Sequence, residues 1–363
     1  MRVYFINTVC DTGSTGRIVA SQARKIIEDG GEIRIAYGRG ECRSKDLDSI
    51  RITGEADRYC HALMTRLTDK HGLYSKKATK RLIEDIKKFN PDLIMLHNLH
   101  GYYINYEMLM EFLRGYGKAI RWTLHDCWTY TGHCAYYSYA HCEKWKTGCE
   151  KCSELKQYPA CMTGGNVSDN YERKKKAFTG IPNMTLITPS EWLKNEVKKS
   201  FLNEYPVEVI NNTVNTDVFK KTDSDLRERF GIKDKTLLLG VANIWDRRKG
   251  LEDFLRLKNR LDDKKFAMVL IGLNDKQIRD LPEDIIGIKH TESVEELAMW
   301  YSAADYFLNL THEDNYPTTN LEAVACGTRV ITYNVGGCIE TIGDEDIAVD
   351  EGDIESIINI VRS

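Results

Sequence analysis

The sequence predicts an α/β protein made of two doubly wound parallel domains, and three observations carry that reading. Short Val/Ile/Leu-rich runs alternate with helical patterns along the chain, as in parallel sheets covered by helices on both faces. The 363 residues suit two domains at about 150 residues each. A polar stretch, 211–229, which includes Lys220-Lys221-Thr222-Asp223-Ser224-Asp225, interrupts the pattern before a fresh apolar strand begins. The expected division is therefore 1–215 and 216–363. Two Rossmann-like domains would face each other across a cleft at the C-terminal ends of their strands, where ligands tend to bind.

In the first domain the expected strands are Val3–Asn7, Ile33–Tyr37, Asp92–His97, Ile120–Leu124, Met184–Thr188 and Val207–Ile210. Between them lie helical patterns such as Thr15–Glu28, Ser75–Phe89 and Glu191–Phe201. A Cys-rich insert, 127–160, interrupts this order. The second domain runs through strands Leu237–Val241, Ala267–Gly272, Ile285–Ile288, Tyr306–Leu310 and Arg329–Tyr333. Its helical patterns include Leu251–Leu261, Val294–Ala303 and Tyr316–Cys326, with a short last helix at Asp353–Val361.

Composition narrows the class. Hydrophobic residues make up 42% and charged residues 29%, the balance of a globular chain rather than a disordered, fibrous or disulfide-dense one. The net charge of −3 hides an asymmetry: residues 1–215 hold 32 Lys/Arg against 25 Asp/Glu, and the remainder 19 against 29. The start MRVYFINTV has no basic segment leading into a long apolar run, and no stretch reaches the about 18 apolar residues of a membrane span. A cytoplasmic protein is expected, with its eleven cysteines free or bound to metal. Runs such as Arg173-Lys174-Lys175-Lys176 and Lys76-Lys77 suit either peripheral contact with an anionic membrane or an ordinary solvated helix face.

Five segments carry candidate chemistry. Thr12-Gly13-Ser14-Thr15-Gly16-Arg17 follows the first strand and opens a helix. It is either a tight turn with an N-cap or a cradle whose backbone N–H groups and helix dipole take an anion. Asp246-Arg247-Arg248-Lys249-Gly250 places three cations on a strand-to-helix loop, suited to phosphate or merely solvated. In His312-Glu313-Asp314-Asn315-Tyr316-Pro317-Thr318, an acidic loop leads into a helix bearing Glu322 among Leu321, Ala323, Val324 and Ala325. A carboxylate in that apolar company needs a partner and could take sugar or ribose hydroxyls.

The remaining two lie in the first domain. Leu96-His97-Asn98-Leu99-His100-Gly101-Tyr102 and Thr123-Leu124-His125-Asp126 both follow predicted strands. Their histidines are either hydrogen-bonded structural residues or groups that bind hydroxyls and move protons. Cys134, Cys142, Cys149 and Cys152 close on a Cys-x-x-Cys spacing. That spacing predicts structural zinc stapling a loop too long and polar to order itself easily, with free thiols or disulfides as alternatives. No Gly-x-Ser-x-Gly elbow, P-loop or aromatic-basic nucleic-acid motif occurs, and the acidic second half disfavours nucleic acid as a partner.

Together these segments resemble the GT4 family of retaining glycosyltransferases, which have the GT-B fold, in the family's order and over almost the whole chain. Within the family the Cys-rich insert and the His97–Gly101 segment resemble bacterial capsule, exopolysaccharide and O-antigen enzymes. The resemblance implies transfer of a sugar from a nucleotide diphosphate sugar to a glycan or lipid-linked glycan acceptor. Gly13, Ser14, Thr15 and Gly16 match the loop facing the donor pyrophosphate. Lys249, with Arg248, matches the phosphate-binding cation. Asp314 and Glu322 match the Glu-x7-Glu signature, and Asn315 and Thr318 lie between them. His125 and Asp126 match the strand-end His-Asp beside the transferred sugar, while His97, His100 and Tyr102 suit the acceptor. Thr188–Trp192 and Val209–Phe219 resemble the segments that close the first domain. Three departures are visible: Asp314, with Glu313 beside it, replaces the first signature Glu; Asn243 stands where the family has an Arg; and the family's long closing helix is short or missing. The route implied is front-face, and the loop cations make a catalytic metal unnecessary. The rival reading is a non-catalytic nucleotide-sugar-binding subunit of the same fold.

Overall fold

The computed structural model describes residues 1–363. It divides into two compact units, Met1–Asn211 and Asn212–Ser363.

The first unit is a seven-stranded sheet. Its strands are β1 (Arg2–Asn7), β2 (Glu32–Tyr37), β3 (Ser49–Arg51), β4 (Leu93–Leu96), β5 (Ala119–Thr123), β6 (Met184–Thr188) and β7 (Val207–Val209). All pairs are parallel, in the order β3-β2-β1-β4-β5-β6-β7. Its helices are α1 (Gly13–Glu28), α2 (Glu55–Thr68), α3 (Lys76–Phe89), α4 (Tyr106–Arg114), α5 (Val167–Phe178) and α6 (Glu191–Lys198). The second unit has six parallel strands: β8 (Thr236–Val241), β9 (Phe266–Ile271), β10 (Ile285–Ile288), β11 (Tyr306–Asn309), β12 (Arg329–Tyr333) and β13 (Ile347–Val349). Their order is β10-β9-β8-β11-β12-β13. Helices α7 (Leu226–Arg229), α8 (Leu251–Lys258), α9 (Asp275–Asp280), α10 (Val294–Ala303), α11 (Thr318–Ala325) and α12 (Ile354–Arg362) complete it.

Local chemistry explains the elements. Every residue of β9 is buried, as expected of a central parallel strand. In α3 the buried Ala78, Leu82 and Ile86 recur every fourth residue, giving one apolar stripe toward the sheet. Side-chain N-caps at Asn105, Ser190, Ser293 and Asn274 start α4, α6, α10 and α9 by satisfying N–H groups that lack a helical partner. Each sheet has a core on both faces. The strands β3 and β13, each three residues long, escape the sequence reading because they lack an extended apolar run.

The strand orders decide where ligands go. Each sheet reverses direction once, between β1 and β4 in the first unit and between β8 and β11 in the second. Loops at the carboxyl ends of those strands open the crevice of a doubly wound sheet.

Two expectations are corrected here. The insert is not a polar loop short of a core. Between Cys127 and Asn166 it has only two three-residue turns of 3₁₀ helix, yet Tyr130, Tyr137 and Trp145 bury themselves within the first unit's core, with Tyr137 and Trp145 centroids 4.8 Å apart. Nor is the whole of Arg173–Lys176 a solvated basic patch, since only Lys175 and Lys176 are exposed. Lys174 is 2% exposed, and its ammonium donates to the carbonyls of Trp128 and Thr131 at 2.6 and 3.0 Å. Arg173 pairs with Glu107 and Asp169. Lys76 and Lys77 do remain exposed. A different exposed surface appears on α2, where Tyr59, Leu63 and Leu67 are 63%, 57% and 48% exposed. No helix is long and apolar enough to cross a membrane.

Candidate functional site

In the second unit the loops after β8 and β11 meet. Lys249 ends a 3₁₀ turn capped by Asp246. Gly250 follows with φ 69°, and a Cβ there would lie 2.0 Å from the Leu310 carbonyl oxygen, so only glycine lets the two loops close. The backbone N–H of His312 donates to the Arg248 carbonyl at 2.7 Å. Across this seam Lys249 Nζ donates to Asp314 Oδ2 at 2.6 Å, and Arg248 donates to the Glu313 carbonyl at 3.3 Å. Burial opposes ionisation of Asp314, but Lys249, Arg248 and the Tyr316 N–H outweigh it and hold its carboxyl below the usual range. The Asp314 carboxylate thus faces Lys249, and the main-chain oxygen of the buried Glu313 accepts from Arg248.

Glu322 is 4% exposed on α11, and the hydroxyl of Tyr301 donates to its Oε2 at 3.0 Å. This is a partner of the kind its apolar neighbours require. Thr318 opens the same helix. Asn315 is buried beside Asp314, and Asn320 bridges Asn309 and Thr341 at 2.8 Å each. Asn243 is exposed.

In the first unit, Gly13 (φ 64°) begins α1 after Thr12, whose side chain makes no cap bond. The first turn keeps backbone N–H groups uncapped by that side chain, while Gly13 and Ser14 are exposed and Thr15 half-buried. Gly16 is buried against the loop, where a Cβ would come within 3.1 Å of Val9. One cysteine expectation fails at this loop: Cys10 and Cys42 are joined by a disulfide. They follow the adjacent parallel strands β1 and β2, which brings the two loops together.

The histidine segments converge at the ends of β4 and β5. His97 Nδ1 and His125 Nε2 lie 2.9 Å apart with their rings stacked. His100 Nε2 is 2.8 Å from Asp126 Oδ2, and Trp128 N–H donates to Asp126 Oδ1 at 3.0 Å. Burial pulls His125 down to about 4 and His97 well below its ordinary value. Asp126 stays below the usual carboxylate range because His100, the Trp128 N–H and His125 overcome its burial. His97, expected beside the acceptor, is 1% exposed and lies against His125. His100 and Tyr102 are half-buried. Sequence reasoning missed Tyr158, whose hydroxyl lies 2.9 Å from His100 Nδ1, and His71, whose ring centroid is 4.8 Å from that of Tyr102. Neither sits beside a strand end, so no local pattern marks them.

The four cysteines expected to hold zinc line one cavity of about 220 Å³. As their side chains are rotated, no three His, Cys, Asp or Glu residues form a group that could hold an ion.

Comparison with known proteins bears on the second unit first. Residues 235–363 match the family Glycosyl transferases group 1. That match lies within the second unit. The chain is 39% identical over 74 residues to the putative colanic acid biosynthesis glycosyl transferase WcaC of Escherichia coli K12, covering 19% of this chain and 18% of WcaC. It spans less than half the length of the curated relatives it matches. Solved structures extend the likeness, as one of fold, over the whole chain. Sucrose-phosphate synthase from Thermosynechococcus elongatus superposes with a TM-score of 0.70 at 15% identity, over 99% of this chain and 88% of that one. Anabaena HepE, in complex with UDP-glucose, gives 0.68 at 12% identity, over 100% and 89%. The fold is GT-B, with the group 1 match inside its second unit.

Proposed function

We propose that this protein is a retaining GT4 glycosyltransferase of bacterial surface polysaccharide synthesis. It moves a sugar from a nucleotide diphosphate sugar to a hydroxyl of a glycan or lipid-linked glycan. The observation that carries the reading is the Lys249–Asp314 pair, with Arg248 beside it, at the sheet reversal of a group 1 domain. The name of WcaC and the UDP-glucose held by HepE support the substrate classes.

In this reading the donor diphosphate competes with Asp314 for Lys249, and Arg248 shares its charge. Glu322 takes the ribose hydroxyls. The sugar C1–O bond to the diphosphate breaks as the acceptor oxygen bonds C1 on the same face, and the acceptor proton passes to the departing phosphate. Charge develops on the leaving diphosphate, so cations there lower the barrier. His125, uncharged at neutral pH, and Asp126 orient the sugar. His100 and Tyr102 meet the acceptor.

Lys249→Ala should cut turnover by about 10²-fold or more. Glu322→Ala should raise the donor KM by about tenfold, the scale of a lost charge-assisted hydrogen bond. Both are read by product formation over a panel of nucleotide sugars. Wild-type turnover in both variants would overturn the assignment. Donor binding without any transfer over the panel would favour the second reading, a non-catalytic subunit, for which the exposed Asn243 in place of an Arg speaks.

A further inference from the structure

The insert holds chemistry that sugar transfer does not use. The sulfur of Cys149 accepts the N–H of Gly132 at 3.2 Å, and that of Cys152 accepts the N–H of Glu154 at 3.3 Å. Backbone N–H groups aimed at sulfur can share the negative charge of a metal-bound thiolate. The thiol of Cys134 is hydrogen-bonded to Cys152. Cys142 lines the same cavity, but its sulfur makes no such bond.

His133 supplies the independent observation. It is 2% exposed and lines the cavity with the cysteines. Its Nδ1 is bonded to the buried carboxylate of Asp69, whose other oxygen accepts the Asn166 N–H at 2.9 Å. Its Nε2 is buried without a partner. With Nδ1 held by the Asp69 carboxylate, Nε2 is the ring nitrogen left open. A carboxylate behind an imidazole whose far nitrogen is open is the arrangement that orients histidine toward a metal.

We propose that this cavity is a structural zinc site, with the thiolates of Cys134, Cys149 and Cys152 and Nε2 of His133 as its four ligands and Asp69 positioning the imidazole. The site forms by rotation of these side chains into the cavity they line. Three thiols give up their protons to solvent as the ion binds, so no oxidant or reductant is needed. Lys174, which interacts electrostatically with Cys134, Cys149 and Asp69, offsets part of the negative charge. Compared with the sequence expectation, His133 replaces Cys142.

The test is metal analysis of the full chain by mass spectrometry, after purification without a metal column. One zinc per chain, kept on dialysis and removed by a strong chelator, is expected. Cys142→Ser should keep it, His133→Ala should lose it, and Asp69→Asn should weaken binding by about 10- to 100-fold. Should His133→Ala fail to fold, the cobalt-substituted wild type still decides. Tetrahedral d–d bands with thiolate charge transfer for three sulfurs are expected, and four sulfurs would overturn the His133 assignment. Zinc well below one per chain without cobalt bands, or a Cys134–Cys152 disulfide by peptide mapping, would overturn the site itself. Donor turnover does not enter either result.

Discussion

At the scale of the residue, burial governs the chemistry. His125 titrates at about 4 in the folded protein against an ordinary 6.5. Between those values the unfolded chain holds a proton that the folded one refuses, so stability rises with pH across that window and falls on acidification. His97 and His71, both fully buried and both pulled well below the ordinary value, act in the same direction. The urea midpoint of the first unit, followed by tryptophan fluorescence, should therefore drop as pH falls from 6.5 to 4. A midpoint unchanged over that range would refute the buried neutral cluster. His97, His100, His125 and Asp126 were legible because each stands just after an apolar run. Tyr158 and Tyr301 were not, since each reaches its partner across 58 and 21 residues of chain, and nothing in the local sequence announces the meeting.

At the scale of the element, loops and one helix face carry the testable content. Gly250 lets the Arg248–Lys249 turn lie against Leu310. Gly250→Ala would add strain at positive φ and a clash with a backbone oxygen, costing about 1–3 kcal/mol, and should move Lys249 enough to lower turnover as well. A melting temperature and donor KM equal to wild type would count against the close approach. On α2, Tyr59, Leu63 and Leu67 form an apolar stripe with Arg66 exposed beside it, a composition that suits the surface of an anionic bilayer. Leu63→Glu with Leu67→Glu should abolish sedimentation with anionic vesicles at low salt while leaving the fold intact by circular dichroism. Equal sedimentation would remove the stripe as the contact. Eleven of the thirteen strands could be read from apolar runs, but α2 could not, because its exposed face is as apolar as its buried one.

At the scale of the whole molecule, the basic and acidic halves of the sequence correspond closely to separate compact units. The alternation of runs and helices was enough to expect the two doubly wound sheets. The paired state of Lys249, the aromatic core of the insert and the Cys10–Cys42 bond were hidden, because each depends on contacts between segments distant in sequence. Lys174, held at about 7 by burial and covered by Trp128 at 3.7 Å, has a further use. The closed protein shields this amine from acylating reagents, and once uncovered it reacts as an ordinary surface lysine does. Its acylation rate, measured by mass spectrometry against that of exposed Lys175, would clock the opening of the first unit. Slow labelling that accelerates under mild denaturant is expected, and labelling as fast as Lys175 in native buffer would show that the seat between α5 and the insert is not closed. A lysine mistaken in the sequence for one of a solvated run thus becomes a built-in timer of conformational opening.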